Sequence, residues 1–146
     1  EGILLYTVAY CLATIGFFAI LMKVKDYAFD GFNGLASTQP VLAFVATICL
    51  LSLAGIPLTA GFFAKYYMLA SVVKAGGPLW MVIVAVLFAA VSAYYYFKVI
   101  QAMYFKEGQP ETNEITSGFK FGLVLVAAGI VLVGVLPSIV LNWFYF

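Results

Sequence analysis

Apolar residues run along this chain in four long blocks, approximately 3–22, 40–73, 79–104 and 119–143, with polar segments between them. About 20 consecutive apolar residues suffice for a helix to cross a hydrocarbon core of roughly 30 Å. The pattern therefore predicts an all-α integral membrane fold of four transmembrane helices forming a single membrane domain.

The second block sets the plan of the rest. It spans 34 residues, is interrupted by Gly55, Ile56 and Pro57, and carries one charge, Lys65. A straight helix of that length would rise roughly 51 Å at about 1.5 Å per residue, well beyond the bilayer core. Pro57 has no N–H for the carbonyl of Leu53 and its ring clashes with that carbonyl, while Gly55 makes the backbone easy to bend. A long, discontinuous helix with its break near Gly55–Pro57 is expected. Freed carbonyls cannot face lipid, so such a break must be packed in protein or line a watery cavity. Discontinuous helices are one way of building ion sites at membrane depth.

The other blocks carry weaker signals. Tyr6, Thr7, Tyr10 and Thr14 recur at helical spacing in the first and read foremost as packing and interface residues, a mildly polar stripe toward neighbouring helices being the alternative. Between Lys23 and Gln39 lies a connecting loop whose Tyr27, Phe29, Phe32 and Leu35 should lie along the interface; Ser37 or Thr38 is expected to cap the helix opening near Pro40. The run from Lys74 to Pro78, KAGGP, predicts a tight turn. Trp80 at one end of the third block and Tyr94, Tyr95 and Tyr96 toward the other fit aromatic belts, and Lys98 needs only to snorkel. Residues 105–120 are strongly polar and belong outside the membrane. The last block holds Pro137 near its end, with Trp143 and Tyr145 suited to an interfacial exit.

Composition agrees with this plan and removes other classes. Of 146 residues, 66% are apolar and 9% charged, with no His, and the mean hydropathy is +1.12. That excludes a soluble domain. A net charge of +1 gives no reason to expect nucleic acid as a partner. All 7 basic residues are Lys, which removes bidentate Arg clamps on phosphate. Cys11 and Cys49 fall inside apolar spans and read as small buried hydrophobes. With no His, and with Glu1, Asp26, Asp30, Glu107, Glu111 and Glu114 all in loops or at the terminus, no metal-ligand cluster is expected. Neither a Gly-rich phosphate loop nor a nucleophile-base pair is legible. The chain opens at Glu1 and enters an apolar span at once, so it reads as the tail of a longer polypeptide.

Four crossings put both ends on one side. The two longer loops share the other side and hold Lys23, Lys25, Lys106 and Lys120, with Lys98 close by, against Lys74 alone in the opposite turn. The positive-inside rule places the long loops in the cytoplasm, or in the matrix or stroma of an organelle, and both ends outside.

Lys65 stands apart from the other lysines. It lies eight residues from the end of its block, roughly 12 Å below the surface by helical rise. An ammonium at the centre of a span costs about 2.5–3.5 kcal/mol on insertion scales and is functional by default. Poor hydration loosens the hold of a lysine on its proton and a neighbouring carboxylate tightens it again, so one ion pair can act as a proton switch. No carboxylate of this chain falls inside a span, so an acidic partner would have to come from elsewhere. Read simply, Lys65 snorkels or holds helices together; its position two helical turns from a break favours a hydrated pathway.

The run Ser52 to Leu69, SLAGIPLTAGFFAKYYML, resembles the signature of the antiporter-like membrane subunits of respiratory complex I, the proton-translocating NADH:quinone oxidoreductase. With Gly31 to Pro40, GFNGLASTQP, and Tyr94 to Val99, YYYFKV, the resemblance is to the N-subunit branch and covers essentially the whole chain. It implies the last four of fourteen helices, the broken one being the twelfth, and a bacterial inner membrane location. Lys65 falls at the position of the lysine that belongs to the family's chain of buried charges. The resemblance implies proton transfer by Lys65; from their closeness to it in the sequence, Gly55 and Pro57 are expected to open room for water, with Ser52, Thr59 and Tyr66 as candidate water-organising neighbours. It also implies the preceding helices of the same subunit, neighbouring complex I membrane subunits and the lipid bilayer as partners. NADH, FMN, iron–sulfur clusters and quinone would be held elsewhere in the complex. A subunit of a multisubunit cation/proton antiporter shares the same Gly-Ile-Pro and Gly-Phe elements and is the alternative; a structural membrane scaffold is another.

Overall fold

The computed structural model describes residues 2–136, and every regular element among them is helical. Helix α1 is Gly2–Leu21. A 3-10 turn over Phe29–Phe32 and the single-turn helix α2, Leu35–Thr38, punctuate the loop that follows. Then come α3 (Pro40–Ala54), α4 (Ala60–Lys74), α5 (Leu79–Phe105) and α6 (Ser117–Val135). Helices α1, α5 and α6 are long and apolar enough to cross a membrane, and α3 is a shorter apolar helix.

Helix α3 lies at the centre and touches every other helix. Its sequence is apolar on all sides, as an enclosed helix requires; Leu42, Ala43, Val45, Ala46, Cys49, Leu50 and Ser52 are all buried. Helix α1 meets this core through Leu5, Ala9, Ala13 and Ile20, spaced along one helical face. Gly16 shares that face, where an added Cβ would come within 2.7 Å of the Cys49 Sγ, so the absent side chain lets α1 and α3 close up. Helix α6 presents Leu123, Ala127, Ile130 and Gly134 in the same manner. Helix α5 packs through its last third, where Ala102 and Met103 are buried. Its earlier part stands off from α4, and a cavity lies between them.

The two long loops meet at one end of the molecule. Lys25 N–H donates to the Glu111 carbonyl at 3.0 Å and Asn113 N–H to the Lys23 carbonyl at 2.8 Å, framing an isolated antiparallel bridge between Val24 and Thr112. Ion pairs Lys25–Glu111 (3.1 Å) and Lys106–Asp30 (3.6 Å) add exposed links. The Lys98 ammonium lies 4.6 Å from the centre of the Phe29 ring.

Several expectations change at this level. Ser37 and Thr38 do not cap α3: their hydroxyls donate to the carbonyls of Gly34 and Leu35, because residues 35–38 form a helical turn of their own. Gln39 takes the cap position without a side-chain bond, and Pro40 opens the helix. Phe32 and Leu35 are buried in the core rather than laid along an interface. Cys49 is buried but Cys11 is exposed. Helix α6 ends at Val135, and Leu136 leaves the helical region at φ −126°, as the residue before a proline tends to. Glu1, Pro137, Trp143 and Tyr145 lie outside the described residues.

Candidate functional site

Five residues, Gly55 to Thr59, separate α3 from α4. Gly55 takes a left-handed conformation (φ 84°, ψ 39°). Its N–H bonds the Ser52 carbonyl at 3.0 Å while Ile56 N–H returns to the Leu51 carbonyl at 3.0 Å, the paired bonds of a Schellman motif. Pro57 and Leu58 then occupy the middle of a turn closed by Thr59 N–H to the Ile56 carbonyl at 3.3 Å. Proline first and a positive φ second is the type II pattern. Leu58 adopts that positive φ (75°) without being glycine, and its side chain is 70% exposed.

The Schellman motif satisfies the carbonyls of Leu51 and Ser52 and leaves those of Leu53 and Ala54 facing the break. Both accept from the Lys65 ammonium, at 2.7 Å and 2.9 Å. Lys65 sits in the second turn of α4, and helical side chains lean toward the N-terminus, so its stem runs back over the start of its own helix. The cation thus occupies the end of α3 where aligned peptide dipoles place roughly half a negative charge. The Leu53 carbonyl is the one Pro57 cannot serve in a continuous helix. Gly55 makes room: a Cβ there would approach the Lys65 Cδ to 2.9 Å.

Ser52 closes the other side of the break. It is 2% exposed, and its hydroxyl oxygen accepts the Gly61 N–H at 3.1 Å, meeting one of the donors that the first turn of a helix leaves free. Gly61 lies hard against the Ser52 backbone, where any Cβ would collide with the carbonyl oxygen. Thr59, 6% exposed, spends its hydroxyl on the Ile56 carbonyl at 2.7 Å. Tyr66 is 58% exposed and its ring stacks on Phe62, so it faces away from the break. Of the residues singled out in the sequence, Ser52, Gly55 and Lys65 are brought together; Pro57 and Thr59 build the turn.

Lys65 and Ser52 also line a cavity of about 500 Å³ between α1, α4 and α5. Tyr6 and Tyr10 of α1 and Ser92 and Tyr96 of α5 are its other polar residues; apolar side chains such as Met68, Met81 and Phe88 make up most of the wall. Thr7, by contrast, donates to the Ile3 carbonyl within its own helix. Among the described residues, no group of three or more metal-ligating side chains comes together. The two carbonyls and Gly61 were not singled out in the sequence, and Tyr96, expected there in an aromatic belt, lines the cavity. A glycine nine residues beyond a serine in an otherwise apolar run was the available signal for a close helix approach; the carbonyls belong to the backbone and leave no residue signature.

Comparisons with known proteins agree on one family. Residues 1–92 match the family described as NADH:quinone oxidoreductase/Mrp antiporter, TM. The chain is 39% identical over 155 residues to NADH-quinone oxidoreductase subunit N of Trichlorobacter lovleyi, covering 98% of this chain and 31% of that protein. It is 37% identical over 146 residues to the subunit N of Flavobacterium psychrophilum, covering 96% and 31% respectively. In structure it resembles a chain of respiratory complex I from Thermus thermophilus with a TM-score of 0.87 at 28% identity, covering 94% of this chain and 33% of that one. The chain thus spans about a third of the length of the curated relatives it matches. Its apolar helices and these matches make it an integral membrane protein, and it belongs to the NADH:quinone oxidoreductase/Mrp antiporter transmembrane family.

Proposed function

We propose that this chain is the C-terminal part of an N-type antiporter-like subunit of complex I, and that it carries protons across the membrane through Lys65. Helices α3 and α4 together make one discontinuous crossing, so that α1, α3–α4, α5 and α6 cross four times. The meeting of the two long loops at one end supports that parity. The loops lie in the cytoplasm and both ends outside the bacterial inner membrane, on the lysine distribution. The remaining helices of the subunit, neighbouring membrane subunits and lipid surround it, and the redox groups sit on other subunits of the complex.

The observation that carries this reading is the double hydrogen bond from the Lys65 ammonium to the Leu53 and Ala54 carbonyls, beside a cavity that Lys65 lines. A proton carrier at membrane depth needs a site that stabilises its charge without fixing it in a buried ion pair. The end of a half-helix supplies partial charge only. Lys65 takes a proton onto Nζ from the chain of buried charges within the membrane and releases it toward the outside.

Lys65→Ala in the assembled complex tests this. NADH oxidation coupled to less proton translocation in everted vesicles is the expected result; unchanged pumping leaves Lys65 a structural cation and discards the reading. The family that matches residues 1–92 also covers Mrp antiporters. A cation/proton antiporter would instead show sodium-dependent proton movement with no link to NADH oxidation.

A further inference from the structure

Helix α6 carries a glycine whose missing side chain is required by the break. A Cβ on Gly134 would lie 2.5 Å from the Thr59 Cα and 2.6 Å from the Leu58 carbonyl oxygen, and closer still to the Thr59 carbonyl carbon. Those are backbone atoms and cannot swing aside. The other glycines of α6 have room: nothing lies within 4 Å of a Cβ on Gly118 or Gly122, and one on Gly129 meets only Leu12 Cδ1 at 4.0 Å. Of the four glycines of α6, Gly134 alone meets main-chain atoms in this way.

We propose that Gly134 is a positioning residue for the Lys65 ammonium, acting through the Pro57–Thr59 turn. The inference rests on the reading of Lys65 as the proton carrier. Its path runs through bonded neighbours. Thr59 N–H closes the turn onto Ile56, and the Thr59 carbonyl accepts Phe62 N–H at 3.2 Å in the first turn of α4. Gly61 lies between, held to the Ser52 hydroxyl. Lys65 follows Gly61 by four residues and so lies on the same face of the helix. A group pressing on Thr59 therefore moves the start of α4, and with it the stem that carries Nζ. The bonds at 2.7 Å and 2.9 Å have little slack, since hydrogen bonds of this type weaken beyond about 3.2 Å. Leu58 adds to the sensitivity, because a non-glycine residue at φ 75° holds only while its surroundings enforce it. Helix α6 is the surface that enforces it, and Gly134 fixes how near that surface comes.

The experiment compares Gly134→Ala with Gly129→Ala, the same change on the same helix where a methyl has room, in the assembled complex. Protons translocated per NADH oxidised should fall for Gly134→Ala and stay unchanged for Gly129→Ala. Each is then combined with Lys65→Met. If Gly134 acts through Lys65, Gly134→Ala lowers the residual pumping of Lys65→Met no further. Equal pumping by the two glycine variants overturns the proposal, as does an undiminished Gly134→Ala defect on top of Lys65→Met. Normal pumping by Lys65→Met alone removes the underlying reading, an outcome that does not involve Gly134. Should Gly134→Ala fail to assemble, amide exchange over residues 55–61 is measured on the full-length subunit in membranes. Exchange at least about 3-fold faster than in Gly129→Ala supports the proposal, and equal exchange overturns it.

Discussion

The Ser52 hydroxyl oxygen accepts the Gly61 N–H at 3.1 Å, tying the last turn of α3 to the first turn of α4 across the break. Both residues are buried, so no solvent replaces the bond when either partner is lost. Leaving a buried donor unpaired costs about 1–3 kcal/mol, more than an average hydrogen bond contributes. Ser52→Ala should therefore speed exchange of the Gly61 amide and lower the thermal midpoint of the complex. An unaltered Gly61 amide would mean that another acceptor serves it.

Gly55 and Gly76 share a positive φ, 84° and 72°, but differ in their surroundings. A Cβ on Gly55 would meet the Lys65 side chain, whereas one on Gly76 meets nothing within 4 Å. Alanine at either position incurs the left-handed penalty of about 1–2 kcal/mol. Only Gly55→Ala should also displace the ammonium from the α3 carbonyls. The expected outcome is a loss of stability in both variants, larger in Gly55→Ala, with a pumping defect confined to Gly55→Ala, read by thermal denaturation and NADH-driven proton translocation. A matching pumping defect in Gly76→Ala would show that backbone strain, not contact with Lys65, is what matters.

The long apolar helices were legible because periodicity is irrelevant when every face is apolar: length and the polar loops alone delimit Gly2–Leu21 and Leu79–Phe105. Residues 55–59 lie outside both α3 and α4, where Pro57 and Gly55 each limit the backbone in a stated way. The partner of Lys65 was not legible. A buried lysine points by residue type to a carboxylate, whereas Lys65 meets two main-chain carbonyls, groups that every residue carries. Thr59 and Tyr66 read as neighbours of Lys65 because they are close in sequence. One spends its hydroxyl inside the turn, and the other lies about 100° round the helix from Lys65. Gly134 was silent for a related reason, since its role exists only through a contact with residues some 75 positions earlier.

Leu58 gives an unusual expectation for a substitution at such a site. Its positive φ costs about 1–2 kcal/mol for a non-glycine residue, and its side chain is exposed in the described chain. Glycine removes that strain but adds about 0.5–1 kcal/mol of chain entropy to be lost on folding. Leu58→Gly should therefore be neutral or stabilising by up to about 1.5 kcal/mol, unlike Gly55→Ala and Ser52→Ala. A lower thermal midpoint would show that the leucine side chain packs against something in the full assembly.

Lys65 can be divided into its two jobs, holding the break and carrying a proton, by two replacements. Methionine has a similar reach and no donor, so Lys65→Met leaves the Leu53 and Ala54 carbonyls without their ammonium. Exchange at Gly55 and Ile56, whose N–H groups close the end of α3, should rise by at least about 3-fold as the break loosens. Arginine presents several N–H donors in a planar fork and can serve both carbonyls, so Lys65→Arg should keep exchange close to that of the unaltered protein. Yet a guanidinium does not release its proton in the neutral range, so proton translocation should fall in both variants. Pumping retained by Lys65→Arg would show that the site needs a fixed positive charge and not a proton that comes and goes.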